Sequence, residues 1–240
     1  MVMKFDLAIV MPVYNEKDCI AGVLNSWLSV LSELRIQHRI IVLDDGSTDG
    51  TEVELARFKK NDRLMVIRKE NSGHGPTILM GYQKAVDTAD WVFQCDSDNE
   101  IKADDFPLLW ENRKRFDAVF GKRRGREQSF SRKLISLFAF CMVRLKFGPG
   151  ITDINTPYRL IRAEVLRNII IQIPQTTFAP NVLISGCLAK YGFRIYEMPV
   201  SHEGRKTGNV SIIGYKLLKS SITSFWQTLI YCPQIDFSIK

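Results

Sequence analysis

A regular alternation over the first 121 residues constrains this chain more than anything else in it. Short, apolar, partly β-branched runs occupy 7–11, 40–43, 64–67, 91–95 and 118–120. Between them the apolar residues recur at helical spacing near 17–34, 49–59, 75–88 and 104–115. A β-α-β-α order of this kind predicts an α/β fold, a mostly parallel sheet with helices on both faces. Parallel strands covered on both faces read as continuous apolar runs, as these do. Ligands of such sheets sit beyond the carboxyl ends of the strands. The polar segments 12–16, 44–49, 70–75 and 96–100 all fall there, so four successive strand ends are expected to build one site.

Composition narrows the class. Of 240 residues, 45% are apolar and 25% charged, a globular balance. No stretch approaches the roughly 20 apolar residues that span a bilayer. Asp6 precedes the first apolar run and no small-residue cleavage site follows it, so a secretory signal is not expected. Cysteines 19, 95, 141, 187 and 232 are odd in number and scattered, without a Cys-x-x-Cys pair. They read as free thiols in a reducing compartment, neither a disulfide framework nor a zinc site.

The net charge of +7 is unevenly placed, because residues 112–147 hold eleven Lys or Arg against Asp117 and Glu127. A basic segment of that density implies an anionic partner: nucleic acid, a phosphorylated substrate or a membrane surface. Within it, 130–147 is strongly apolar with Arg132, Lys133, Arg144 and Lys146 towards its ends. Further helices are expected at 163–171 and 180–191, and a further strand at 193–198. Residues 212–231 carry an apolar helical stripe, and the stretch from Gly204 to Ile235 has four basic residues and no acidic one. The expected organisation is one domain over 1–211, with halves 1–121 and 122–211, followed by an appended helix and tail at 212–240.

Asp96-Ser97-Asp98 follows the strand at 91–95. Two carboxylates one residue apart at a strand end are hard-oxygen ligands suited to Mg²⁺ or Mn²⁺, with Glu100 a third, outer-shell acid. The plainer alternative is a solvated acidic turn before the helix near Asp104. In 44–50, Asp44 and Asp45 end the second strand, Gly46 permits a tight turn, and Asp49 suits an N-cap. Either acid at that strand end can accept hydrogen bonds from a ribose or a base edge. In 12–16, Tyr14 offers a ring to a base and Glu16 an acceptor to a ring N–H. Residues 71–76 open a helix with Gly73 and Gly75, as a backbone approaching a phosphate does. They lack the P-loop lysine and the three-glycine dinucleotide pattern. His74 and His202 have no ligand-spaced partners and read as structural or solvent-facing.

Pro12-Val13-Tyr14-Asn15-Glu16, Asp44-Asp45-Gly46-Ser47-Thr48-Asp49-Gly50 and Asp96-Ser97-Asp98, in this order and spacing, resemble the family 2 glycosyltransferases over residues 6–121. The resemblance implies a GT-A fold binding a UDP- or GDP-sugar. It places Pro12, Tyr14, Glu16 and Asp45 near the nucleoside, and Asp96 and Asp98 at ribose, diphosphate and metal. Gly121-Lys122-Arg123 and Arg132-Lys133-Leu134-Ile135-Ser136 resemble the lipid-phosphate region of the polyprenyl-phosphate branch, similar to dolichol-phosphate mannose synthases. That implies Arg123, Arg132 and Ser136 around an acceptor phosphate. Arg205-Lys206-Thr207-Gly208-Asn209-Val210-Ser211 resembles the Arg-x-x-Gly-x-Ser loop, with Ser one residue late, and implies Arg205 as a diphosphate contact. The segment from Asp153 to Arg159 resembles the loop after the catalytic region, with Pro157-Tyr158 in place of Gly-Phe. Asn181 stands where this branch often has Glu.

The function expected is therefore inverting, metal-dependent transfer of one sugar to a polyprenyl phosphate at the inner, cytoplasmic face of a membrane, with Asp98, Arg123 and Arg132 carrying the chemistry. A phosphate monoester is already ionised, so its acceptor site needs positioning and charge compensation rather than a base. The alternative is a sugar-hydroxyl acceptor with Asp153 as general base. A nucleic-acid-binding module is not expected, because Phe130, Phe138, Phe140 and Phe147 fall within an apolar helix rather than on an exposed stacking surface. The stripe at 212–231 has three readings: an anchor lying on the bilayer, packing on its own domain, or contact with a membrane-protein partner or a second copy.

Overall fold

Side chains of β1 (Phe5–Val13) alternate between two cores, which is why its run is apolar at nearly every position. Leu7, Ile9 and Met11 face one side of the sheet, where they pack with Ile20, Leu24 and Trp27 of α1 (Ile20–Glu33). Ala8 and Val10 face the other, against Ile78, Leu79 and Tyr82 of α3 (His74–Ala85). The computed structural model describes residues 4–124, 130–203 and 215–231, with backbone alone at 124, 130–136, 138, 139 and 215–221.

The remaining elements are β2 (His38–Asp44), α2 (Thr51–Ala56), β3 (Leu64–Arg68), β4 (Ala89–Gln94), a 3₁₀ turn at Ala103–Asp105 and α4 (Phe106–Asn112). They continue with β5 (Ala118–Arg124), α5 (Phe130–Phe147), β6 (Arg159–Arg162), α6 (Ala163–Ile170), α7 (Pro180–Lys190), β7 (Ile195–Ser201) and α8 (Tyr215–Ile230). Among the described residues seven strands form one sheet in the order β3-β2-β1-β4-β6-β5-β7. All neighbouring pairs are parallel except those of β6, which runs antiparallel to both β4 and β5. The carboxyl ends of the other six strands therefore share one edge. As expected, the sheet is mostly parallel with helices on both faces.

Some boundaries differ from the sequence reading. The strand expected at 193–198 is β7, shifted towards the carboxyl end, and the helices expected at 49–59 and 104–115 are shorter. Strand β6 is not anticipated by the sequence at all. Its four residues, Arg-Leu-Ile-Arg, are too few to display a period of two, and the Arg at its start is fully buried.

Two close approaches fix the packing. Trp27, Phe93, Phe106 and Tyr158 make one aromatic cluster, with ring centroids 4.7–6.2 Å apart. On the opposite face, a Cβ on Gly81 of α3 would lie 2.3 Å from Val10 Cγ1 and 2.8 Å from Leu43 Cδ1. Gly81→Ala is thus expected to lose stability by about 1–3 kcal/mol through overpacking, even after the gain of about 1 kcal/mol from better helix propensity is included. The check is a urea titration, in which the midpoint falls while the slope stays constant.

Candidate active site

The loops after β1 and β2 are laced together by the side chains that the strand-end pattern singles out. Asn15, in the left-handed region at φ 56°, accepts from the Thr48 N–H at 2.8 Å and donates its own N–H to Ser47 Oγ at 3.0 Å. Thr51 Oγ1 accepts from the Glu16 N–H at 3.0 Å. Asp49 accepts from the N–H groups of Lys17 and Thr51, and its carboxyl is held below the usual range: burial opposes the charge, but these donors and the Thr51 hydroxyl outweigh it. The N-cap of α2 is Gly50 rather than Asp49, so Asp49 holds the first turn from one residue further out. Pro12 is buried within β1, Glu16 is buried and receives the Cys19 thiol at 3.1 Å, and Tyr14 is exposed.

Asp45 is buried and engaged inside the protein. Its carboxylate accepts from the Ser72 and Gly73 N–H groups, both at 2.9 Å, and from the Lys69 ammonium, and its carbonyl accepts from Asn71. The loop leading into α3 needs acceptors for these N–H groups, and Asp45 supplies them. Gly75 has a packing cause that the sequence did not show. A Cβ there would sit 2.2 Å from the Thr177 carbonyl oxygen and 2.3 Å from that of Phe178.

At the end of β4 lies a cleft lined by Asp96, Asp98, Glu100, Arg123, Tyr158 and His202, among others. Asp98 accepts from the Glu100 N–H at 3.1 Å across Asn99, itself left-handed at φ 58°. Asp96 accepts from Gln94 Nε2 at 3.3 Å, and His74 Nε2 stands 3.8 Å from its carboxylate. Glu100 pairs with His202 Nε2 at 2.9 Å. Cys95 beside them is buried, and burial with the neighbouring Asp96 and Asp98 charges pushes its thiol well up, so it stays protonated.

Arg123, at the end of β5, enters the same cleft. Its Nε donates to Asp153 Oδ2 at 2.8 Å and its Nη2 to Asp153 Oδ1 at 2.7 Å. A buried polar network backs the cleft. Gln94 accepts from Asn181 Nδ2 at 2.8 Å and lies 3.1 Å from the Tyr82 hydroxyl, which burial keeps protonated.

The fold thus gathers Tyr14, Glu16, Asp45, Asp96, Asp98, Glu100, Arg123 and Asp153 on one edge of the sheet. Arg132 and Ser136 lie one turn apart in α5, with their side chains outside the described residues, as Arg205 is entirely. The sequence reading missed Glu197, Gln94 and Arg159, and took His202, which lines the cleft, as structural or solvent-facing. For His202 a signal existed: it follows β7, which parallels β5, so it reaches the edge already inferred for 96–100. Gln94 was legible as the lone polar residue in the apolar run 91–95.

Asp96 and Asp98 offer hard oxygen donors on one wall of an open cleft, which fits a Mg²⁺ or Mn²⁺ ion. Among the described residues no three His, Cys, Asp or Glu side chains converge on a ready-made metal cage. Such an ion would therefore complete its shell with ligand oxygens and water.

Comparison with known proteins agrees with the strand-end motifs. The model of the family described as Glycosyl transferase family 2 matches residues 8–170. Undecaprenyl-phosphate 4-deoxy-4-formamido-L-arabinose transferase of Proteus mirabilis is 26% identical over 216 residues, covering 88% of this chain and 64% of that protein. The enzyme of the same name from Pseudomonas fluorescens is 27% identical over 207 residues, covering 85% and 59%. The chain thus spans less than two thirds of these relatives. Among solved structures, glucosyl-3-phosphoglycerate synthase of Mycobacterium tuberculosis with Mn²⁺, UDP and phosphoglyceric acid superposes with a TM-score of 0.71 at 19% identity, covering 94% of this chain and 78% of that one. That likeness is one of fold.

Proposed function

The chain belongs to glycosyl transferase family 2 and has the GT-A fold, and from that premise we propose that it transfers one sugar, with inversion, from a UDP- or GDP-sugar to a polyprenyl phosphate at a membrane face. The observation that carries this is the meeting of opposite charges in one cleft, the Asp96–Asp98 carboxylates and the Arg123 guanidinium. Carboxylates alone repel a diphosphate. Asp96 and Asp98 would hold a Mg²⁺ or Mn²⁺ ion, which when bound would supply Lewis-acid neutralisation of the nucleoside diphosphate's charge. Arg123, with Arg132 and Ser136 from the first turns of α5, binds and orients the acceptor phosphate. A guanidinium fork suits that anion. Pro12, Tyr14, Glu16 and Asp45 seat the nucleoside, Arg205 contacts the diphosphate, and Glu100 backs the metal carboxylates.

The relatives' names support the acceptor class, since undecaprenyl phosphate is a polyprenyl phosphate. The last helix supports the location. Among the described residues no helix is long and apolar enough to cross a membrane. Yet α8 docks on the domain through Gln227, Thr228 and Tyr231, while Lys146 of α5 donates to its last carbonyls. Ile222, Trp226, Leu229 and Ile230 are left exposed as an outward stripe. An apolar stripe on a basic element fits a peripheral contact with an anionic bilayer.

The test is nucleoside-diphosphate release by the protein with Mn²⁺ and a panel of UDP- and GDP-sugars, with and without a short polyprenyl phosphate. Release is expected to depend on the lipid phosphate and to fall at least tenfold in Arg132→Ala, given the strength of charge-assisted phosphate contacts. Release that ignores the lipid phosphate, or an unaffected Arg132→Ala, overturns the proposal in favour of a hydroxyl acceptor.

A further inference from the structure

We infer that Asp153 is a positioning residue rather than a proton acceptor: with Glu197 behind it, it holds the Arg123 guanidinium in the orientation that receives the acceptor's phosphate. This rests on the acceptor-phosphate reading of the cleft given above. Arg123 hangs from the end of β5 by a long side chain, which loses much rotational freedom when it is fixed. What fixes it is the parallel pair of hydrogen bonds to Asp153, at 2.8 and 2.7 Å, the geometry in which a guanidinium fork matches a carboxylate. The Arg123 and Asp153 side chains are only 10% and 19% exposed, so the pair is shielded from much of the screening that weakens surface ion pairs.

Asp153 is fixed in turn. Glu197 on β7 accepts from the Thr152 N–H at 3.0 and 2.9 Å, from the Thr152 hydroxyl at 2.9 Å and from the Asp153 N–H at 2.8 Å. Glu197 stands in register with Phe120 of β5, the neighbouring strand that carries Arg123 three residues on. The relay therefore crosses a strand pair whose spacing the ladder sets, and ends on a group that lines the cleft. Both Asp153 oxygens accept from Arg123, and a proton taken up by this carboxylate would cancel the negative charge that holds the guanidinium in place, so acting as a base and aiming Arg123 work against each other.

The experiment measures binding of farnesyl phosphate to the full chain by titration calorimetry in the wild type, Arg123→Ala, Asp153→Asn, Glu197→Gln and the Arg123→Ala/Asp153→Asn double variant. Thermal unfolding of each, and Asp153→Ala as a second substitution, separate loss of fold from loss of orientation. Asp153→Asn is expected to weaken binding about tenfold and Glu197→Gln about threefold, with Arg123→Ala weakening it at least as much as Asp153→Asn. The decisive expectation is non-additivity: once Arg123 is gone, Asp153→Asn has nothing left to orient and adds no further loss. A proton acceptor lost by substitution leaves acceptor binding intact. Folded Asp153 variants that bind as wild type, or an additive double variant, overturn the inference while the acceptor reading stands. Arg123→Ala binding as wild type, or a wild type that does not bind farnesyl phosphate, overturns that reading itself.

Discussion

Asp98→Asn is expected to lower sugar-donor turnover by about 10²–10³-fold, the loss typical of removing one electrostatic stabiliser of a charged transition state. The substitution is conservative for the fold. One contact of Asp98 is the Glu100 N–H, accepted at 3.1 Å, and an Asn side-chain oxygen accepts the same bond. What disappears is one unit of negative charge in a cleft where Asp96, Glu100 and Arg123 are also gathered. Binding of Mn²⁺ in the presence of the nucleoside diphosphate should weaken in parallel, and the thermal midpoint should stay within a few degrees of wild type. Retention of turnover within tenfold would remove Asp98 from the metal site and leave the acidic segment as a turn that precedes α4.

The portion of the site that follows from single strand ends was legible, and the portion that depends on pairing between distant segments was not. Segments 12–16, 44–50 and 96–98 each announce themselves by polar residues at the end of an apolar run, and the sheet order brings them to one edge. The Arg123–Asp153–Glu197 relay depends on the β5–β7 register, which joins residues 77 apart in sequence at Phe120 and Glu197. Nothing local marks Glu197 as more than an acid on an edge strand.

Two other readings show the same boundary. Asp45 was legible as an acid at a strand end, where ligands gather, but its second task was not: it accepts the N–H groups of the loop into α3, a demand set by a segment 27 residues away. The apolar stripe of α8 was visible, and periodicity reveals that a face exists without saying what covers it. The helix docks instead through Gln227, Thr228 and Tyr231, a mixed face with no such signature.

Arg159 illustrates the limit most sharply and carries the largest expected effect on stability. It opens β6, is fully buried, and packs its guanidinium over the Phe120 ring at 4.6 Å. Burial lowers its pKa to about 10, with the nearby Tyr82 and Asp153 working the other way, so it remains charged at neutral pH. The cost of burying that charge is offset by four acceptors: the carbonyls of Thr156 at 2.8 Å, Asn181 at 3.1 Å and Ile154 at 3.3 Å, and Ser185 Oγ at 3.3 Å. Each bond from a charged donor contributes about 1.5–3 kcal/mol. Arg159→Met fills most of the volume and removes the desolvation cost, but strands the Thr156 carbonyl and cuts the tie to the Asn181 carbonyl, which keeps its place in the α7 ladder. The Ile154 carbonyl keeps the Ser185 hydroxyl at 2.8 Å. The balance is a net loss of about 3 kcal/mol, read as a lower urea midpoint at constant slope. Because Arg159 ties the 154–156 loop to the first turn of α7, the same change should loosen the segment that carries Asp153 and weaken acceptor-phosphate binding even where the protein remains folded. A variant as stable as wild type would mean that the buried charge costs as much as its four bonds return, and that β6 holds its place in the sheet by backbone pairing and the packing of Leu160 and Ile161 alone.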